Sequence, residues 1–365
     1  MNIPMVDLKR QYSELKNEID EGILQALADT KFILGPAVKK FEEDASKYLG
    51  VKHAIGVASG TDALHLALAA ADIGSGDEVI TTPFTFIATA EAISYVGAKP
   101  IFVDINHDTF NLDLDKVEQA ITNKTKAIIP VHLFGQPVDM PKLSTLCDSY
   151  NLTIVEDCAQ SFGASIDSRQ TGSFGDFGAF SFFPSKNLGC YGDGGLISTS
   201  SDKKAEKIRF LRNHGMSKPY HHTMLGFNSR LDELQAVILN IKLLHIDSYN
   251  KNRRQVAKTY NELLQDTSVQ TPIADDIGVH VYHQFTCLHP KRDLIIQVLK
   301  DSNIACAIYY PIPLHLQSIY RKAGPDINLP NSELAASQCF SLPIYPELDE
   351  DKIGHITDVI KKALA

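Results

Sequence analysis

The feature that most restricts the fold is the alternation of short β-type runs with helical patterns from Val51 to about Thr199. His53 to Ala58, Glu78 to Thr82, Pro100 to Asp104, Ala127 to Val131 and Thr153 to Asp157 are apolar or β-branched runs of strand length. Between them, Asp62 to Ala71, Ala88 to Tyr95, Asp115 to Ile121 and Met140 to Tyr150 carry helical patterns. Apolar strands separated by helices predict an α/β fold, a mostly parallel sheet covered on both faces. Gly178 to Phe183 and Gly195 to Thr199 add two strands around a Gly-rich turn.

The character changes after Leu231. Leu231 to His245 and Asn250 to Leu264 predict long helices, followed by a strand near Val279 to Leu288. A helix at Asp293 to Lys300, a strand at Ala305 to Tyr309 and a last helix from Asp351 complete a smaller α/β unit. This places a domain boundary near residue 245. The segment up to Tyr48 predicts helices that pack on the smaller unit.

Composition excludes some partners. A net charge of −9 over 365 residues argues against a broad nucleic-acid surface, which needs clustered Lys and Arg. No run approaches the roughly 18 apolar residues of a membrane span, and the first residues lack a signal-peptide core, so the chain reads as cytoplasmic. The six cysteines form no C-x-x-C pair, and no carboxylate–histidine set has metal-ligand spacing.

The chemistry concentrates in Phe180 to Gly195, Phe-Ser-Phe-Phe-Pro-Ser-Lys-Asn-Leu-Gly-Cys-Tyr-Gly-Asp-Gly-Gly. Lys186 follows an apolar strand inside Pro and Gly punctuation. Alone, it reads equally as a solvated loop lysine or as an amine made nucleophilic by desolvation, ready to form an imine. Asp157, in Val155-Glu156-Asp157-Cys158-Ala159-Gln160, ends a central strand where open α/β sheets hold ligands. It suits a helix N-cap. It also suits a pyridine cofactor, whose ring nitrogen stays protonated opposite a carboxylate and so acts as an electron sink. Ala58-Ser59-Gly60-Thr61-Asp62-Ala63 is a strand–turn–helix junction, either a plain cap or a phosphate site made of backbone N–H groups. Cradle, carboxylate and lysine in this order are more specific together than singly.

With Met5 to Leu8, Phe32 to Gly35, Pro83 to Ala88, Arg212 to Gly215, Gly226 to Gln235 and Tyr310 to Gln317, these motifs make the chain resemble the DegT family of sugar aminotransferases. That family lies within the fold-type I group of pyridoxal-phosphate enzymes. The resemblance runs along nearly the whole chain. It implies a large cofactor-binding domain over residues 1–245, with a mostly parallel seven-stranded sheet, and a smaller α/β domain over 246–365. It implies that Lys186 holds pyridoxal 5'-phosphate as a Schiff base and later moves protons. Asp157 would pair with the ring nitrogen, Gly60, Thr61 and Ser181 would bind phosphate, Phe84 would stack on the ring, and Gln160 would lie near the phenolic oxygen. Asn228 matches a phosphate ligand donated by the other subunit, which implies a homodimer with shared active sites. Some relatives with histidine in place of this lysine are dehydratases; the lysine here implies transamination.

For such an enzyme the resemblance implies a nucleotide-linked keto-sugar acceptor and L-glutamate as donor, with Lys186 as general acid/base. A finer likeness is to enzymes aminating UDP-2-acetamido-2-deoxy-3-oxo-glucuronate, for O-antigen or another surface glycan. It rests on Ser185 to Tyr191, Tyr220-His221-His222 and Asn228 to Asp232. Arg230 suits a uronate or donor carboxylate, or an ion pair with Asp232 or Glu233. Phe183, Tyr220, His221, His222, Tyr309 and Tyr310 are the further expected substrate contacts, although His221 and His222 equally suit a surface loop. Tyr309 stands where the uronate enzymes carry a histidine, which keeps a dTDP-linked 3-keto-6-deoxyhexose, or a 4-keto sugar, as alternatives. His280 and His283 suit packing. A non-catalytic binding protein on the same scaffold is the competing class.

Overall fold

A computed structural model describes residues 2–321 and 327–365. Helices α1 (Leu8–Asp29) and α2 (Pro36–Leu49) precede β1 (His53–Val57). Then α3 (Gly60–Ala70), β2 (Glu78–Thr81), α4 (Ala88–Tyr95), β3 (Lys99–Phe102), α5 (Leu114–Ala120), β4 (Thr125–Ile129), α6 (Met140–Tyr150) and β5 (Thr153–Asp157) alternate. A small ribbon, β6 (Ser165–Ile166) with β7 (Arg169–Gln170), leads to β8 (Phe177–Ser181), β9 (Gly195–Thr199) and α7 (Asp202–Leu211). A second ribbon pairs β10 (Met216–Lys218) with β11 (His221–His222). Helices α8 (Glu233–Leu243) and α9 (Ile246–Leu264) follow. The chain ends with β12 (Phe285–Leu288), α10 (Arg292–Asp301), α11 (Ser318–Arg321), α12 (Pro330–Gln338), β13 (Cys339–Leu342) and α13 (Glu350–Leu364).

The main sheet has seven strands in the order β1-β9-β8-β5-β4-β2-β3. Only β9 runs against its neighbours. Alternate strand residues enter different cores, as a two-sided sheet requires. Ile55, Val79, Ala127, Val155, Ala179 and Ile197 pack with α3. Ala54, Phe180 and Leu196 face the α2 and α8 side, while Ile80, Ile128 and Ile154 meet α6. This double burial is why the strands read as continuous apolar runs.

Helix α3 is buried along most of its length, through Leu64, Leu66, Ala67 and Leu68. Its start is set by Ser59, whose hydroxyl accepts from the Asp62 N–H at 3.1 Å, an N-cap worth about 1 kcal/mol. At α2, Pro36 occupies the first turn and Gly50 ends the helix at φ 68°. Glu233 reaches across to accept from the Ala37 and Val38 N–H groups.

The C-terminal part has its own core, in which Tyr260, Phe285, Ile295, Phe340 and Ile356 are central. Here the structure departs from expectation. Residues 279–284 form no strand: their N–H groups bond singly to Ser165, Gly135 and Phe134 carbonyls, threading the segment between the two parts. Ala305 to Tyr309 contributes one bridge, Ala307 to Ser341, and the true partner of β12 is β13. Helices α7 and α12 also escaped the sequence reading. Helix α1 lies mainly on α8, through Leu15, Ile19 and Ile238. Its first turn reaches the C-terminal part through Arg10, which donates to the Glu347 carbonyl at 3.1 Å, and ahead of it Ile3 pairs with Ile304. Among the described residues no helix is long and apolar enough to cross a membrane.

Candidate active site

The chain ends of β1, β5 and β8 all open at one edge of the sheet, where a cavity of about 400 Å³ lies. Asp157, Gly60, Thr61, Gln160, Ser181, Phe183, Lys186, Tyr309 and Tyr310 all border it. Residues more than a hundred positions apart thus converge as the strand order dictates.

Asp157 is the last residue of β5 and almost fully buried. Its Oδ2 accepts from the Thr89 hydroxyl at 2.8 Å and its Oδ1 from the Ala159 N–H at 3.1 Å. Thr89 in turn sits 3.0 Å from the Thr85 hydroxyl, so with Thr89 donating to the carboxylate, Thr85 donates to Thr89. Burial raises the Asp157 carboxyl above its usual range, against the Thr89 and Ala159 bonds and the Lys186 and His132 charges. Lys186 is half-buried in the cavity wall, its N–H donating to the Phe183 carbonyl at 2.8 Å. Burial lowers its amine to about 8, with the Asp157 carboxylate acting in the opposite direction. A desolvated amine beside a buried carboxylate is the arrangement a nucleophilic lysine needs.

The cradle depends on a close approach. A Cβ on Gly60 would lie 2.6 Å from the Ser181 Cβ, so only glycine lets the α3 N-terminus close on the end of β8. This gathers the N–H groups of the first turn and the Thr61 and Ser181 hydroxyls around one anion-sized space. Gln160 has a set orientation: its Oε1 accepts from the Phe134 N–H at 2.8 Å, and its Nε2 donates to the Tyr310 hydroxyl at 3.2 Å. Helix N-terminus, buried carboxylate and half-buried amine together fit the phosphate, pyridinium and aldehyde of pyridoxal phosphate.

Phe84 requires a correction. It is fully buried against Phe110, Phe134 and Tyr310 and does not border the cavity. Phe86, two residues on and 57% exposed, does border it, beside Thr85. The sequence also gave no hint of Thr89, whose role rests on a contact 68 positions away in the chain. Tyr220, His221, His222, Asn228 and Arg230 lie outside the cavity of their own chain. Tyr220 is 93% exposed at the ribbon tip. Arg230 donates to the Asn213 side chain at 3.1 Å, not to Asp232 or Glu233.

Beneath Asp157, His132, Glu156 and Cys158 cluster closely enough to suggest metal ligands. Glu156 already accepts from His132 Nε2 and the Gly172, Phe174 and Gly175 N–H groups. His132 Nδ1 accepts from the Val138 N–H. The cluster is a saturated hydrogen-bond knot holding β5 to its neighbours.

Sheet order and site together define a fold-type I aminotransferase. The chain belongs to the DegT/DnrJ/EryC1/StrS aminotransferase family, whose model matches residues 13–361, and its cofactor is pyridoxal phosphate. It is 48% identical to the pleiotropic regulatory protein of Geobacillus stearothermophilus, over 99% of this chain and 98% of that one. It is 49% identical to the UDP-N-acetyl-3-dehydro-alpha-D-glucosamine 3-aminotransferase of Acidithiobacillus ferrooxidans, over 99% and 98%. The crystal structure of S. venezuelae DesV in complex with a ketimine intermediate superposes with a TM-score of 0.97 at 41% identity, covering 100% of this chain and 99% of that one.

Proposed function

We propose that this aminotransferase moves the amino group of L-glutamate to C3 of a UDP-linked 2-acetamido-2-deoxy-3-keto sugar, as a step in surface-glycan synthesis. The observation that carries the reading is the cavity in which Lys186, Asp157 and the Gly60 cradle converge. The 49% relative, named for a UDP-linked 3-keto amino sugar, supports the acceptor class. When bound, the cofactor supplies the electron sink for cleavage of the bond to the transferred proton.

The chain's own residues do the rest. Asp157, backed by the Thr89 and Thr85 hydroxyls, holds the ring nitrogen protonated. Gly60, Thr61 and Ser181 hold the phosphate, and Phe86 covers the ring face. Gln160, oriented by Phe134, presents its amide to the phenolic oxygen. Lys186, its amine lowered by burial to about 8, takes and returns the proton at the reacting carbon.

The second wall comes from another copy of the chain. Tyr220, Leu225, Phe227, Phe32 and Ile33 are large apolar residues left exposed, and they flank Asn228 and Arg230. A homodimer that buries this face would bring Asn228 and Arg230 into the neighbouring cavity as phosphate and carboxylate ligands.

Among the described residues of one chain, Lys186 is the one Lys or Arg bordering the cavity, and Tyr309 offers a phenol. These favour a sugar with a neutral C6, with Arg230 of the second copy kept for the donor carboxylate. If Arg230 instead reads the sugar, the C6 uronate is the substrate. The test is amination of both UDP-3-keto sugars with glutamate, read by mass of the product. Product from neither sugar, with a dTDP-3-keto-6-deoxyhexose aminated instead, would overturn the acceptor assignment.

A further inference from the structure

His283 has the sequence surroundings of a packing histidine, yet it borders the catalytic cavity. Its ring is tied to the residue that follows Lys186: Nδ1 lies 3.2 Å from the Asn187 Oδ1. The direction of that bond is decided elsewhere. Asn250 Nδ2 donates to the Phe162 carbonyl at 3.0 Å, which turns Asn250 Oδ1 toward Asn187. Asn187 Nδ2 then donates to Asn250 Oδ1 at 2.8 Å and to the Val281 carbonyl at 3.0 Å. Backbone carbonyls only accept, so neither amide can be reversed. Asn187 is left with its oxygen toward His283, and Nδ1 must carry the proton. The neutral ring therefore keeps a lone pair on Nε2. That nitrogen has no protein partner among the described residues. Burial, with the Lys186 and Arg253 charges, holds the imidazole well below its ordinary range, so it stays neutral.

We propose that His283 is a positioning residue for Lys186: its Nε2 accepts an N–H from the free lysine amine and turns the amine lone pair toward the reacting carbon. This rests on the reading of Lys186 as the cofactor-bearing lysine. Asn187 and Asn250 act as a tautomer lock behind it, so that Nε2 is never a competing donor.

The test compares His283→Phe and His283→Gln in the cofactor-loaded enzyme. Glutamine places an acceptor oxygen near the Nε2 position; phenylalanine keeps the volume without it. For His283→Phe, kcat should fall about tenfold or more with both KM values within about twofold. The limb of its pH profile due to the lysine amine should move to lower pH, because losing an acceptor disfavours the ammonium. His283→Gln should recover most of kcat and return the limb. An unchanged limb and kcat in His283→Phe, or a glutamine variant no better than phenylalanine, overturns the proposal. If His283→Phe does not fold, the tautomer is read in wild-type holoenzyme labelled with nitrogen-15 histidine. A neutral Nδ1–H ring is expected; an Nε2–H ring or an imidazolium overturns the proposal. Wild type that shows no visible cofactor band would instead overturn the reading of Lys186, which separates the two failures.

Discussion

Two regions of this protein each hold a lysine whose amine is lowered to about 8, and they do opposite things with it. Lys186 borders the cavity, half-buried, beside the Asp157 carboxylate. Lys242, on α8, is 1% exposed; its Nζ donates to the Gly189 carbonyl at 2.8 Å and sits 4.2 Å over the Tyr191 ring. Burial is the largest cause of the lowered pKa in both. The difference lies in access and in partners. Lys242 is sealed, and its hydrogen bond and ring contact fasten the loop after Lys186 onto α8. Lys186 faces a space built around it. A perturbed pKa therefore marks desolvation, and only the geometry beside it marks chemistry.

The widest separation between the regions is expected from alanine. Lys186→Ala should abolish the visible cofactor band and lower kcat by at least about 10³-fold, whereas Lys242→Ala should keep the band. Borohydride treatment of the loaded wild type should fix the cofactor on Lys186 alone, and peptide mapping that finds it on Lys242 would break the contrast. Asp157→Asn should come next, with kcat lower by roughly 10²–10³-fold and the band still formed, because the lysine remains. A variant with near-normal kcat would remove Asp157 from the ring nitrogen. Gly60→Ala acts on the cradle, where the added methyl meets Ser181. The cofactor dissociation constant should rise about tenfold, roughly 1.4 kcal/mol, as titrated by the visible band.

The sealed lysine is read in stability instead of activity. Unfolded, Lys242 holds its proton to about its ordinary value of 10.5; folded, it releases it at about 8. Between those values the unfolded chain binds more protons, so stability from this group rises with pH. Wild type should gain on Lys242→Met across that window, by up to about 1.4 kcal/mol per pH unit, in denaturant titrations of the two proteins side by side. A constant difference from pH 8 to 10 would show that Lys242 folds with its proton on.

The sheet was legible because both its faces are buried: alternate residues of each strand enter different cores, and that leaves uninterrupted apolar runs. The C-terminal part was less so. Residues 279–284 carry Val279, Val281 and Tyr282 and look strand-like, but their N–H groups meet scattered loop carbonyls, and β13 follows directly on α12 with no turn signal to announce it. In the site, Lys186, Asp157 and Gly60 stood out since each has a local motif. Phe84 and Phe86 did not separate, because which of two aromatics faces a cavity depends on the turn after β2.

The sequence by itself determined the alternation of strands and helices from Val51 to Asp157, the two-sided sheet and the ordered set of cradle, carboxylate and lysine. These are local matters of periodicity, capping and glycine placement. Tertiary structure alone decided that Thr89 backs Asp157, that Phe86 rather than Phe84 lines the cavity, and that His283 borders it. It also decided that Asn228 and Arg230 lie outside the cavity of their own chain. Those choices depend on contacts between residues far apart in the chain, and no local pattern records which side chains a closed fold will bring together.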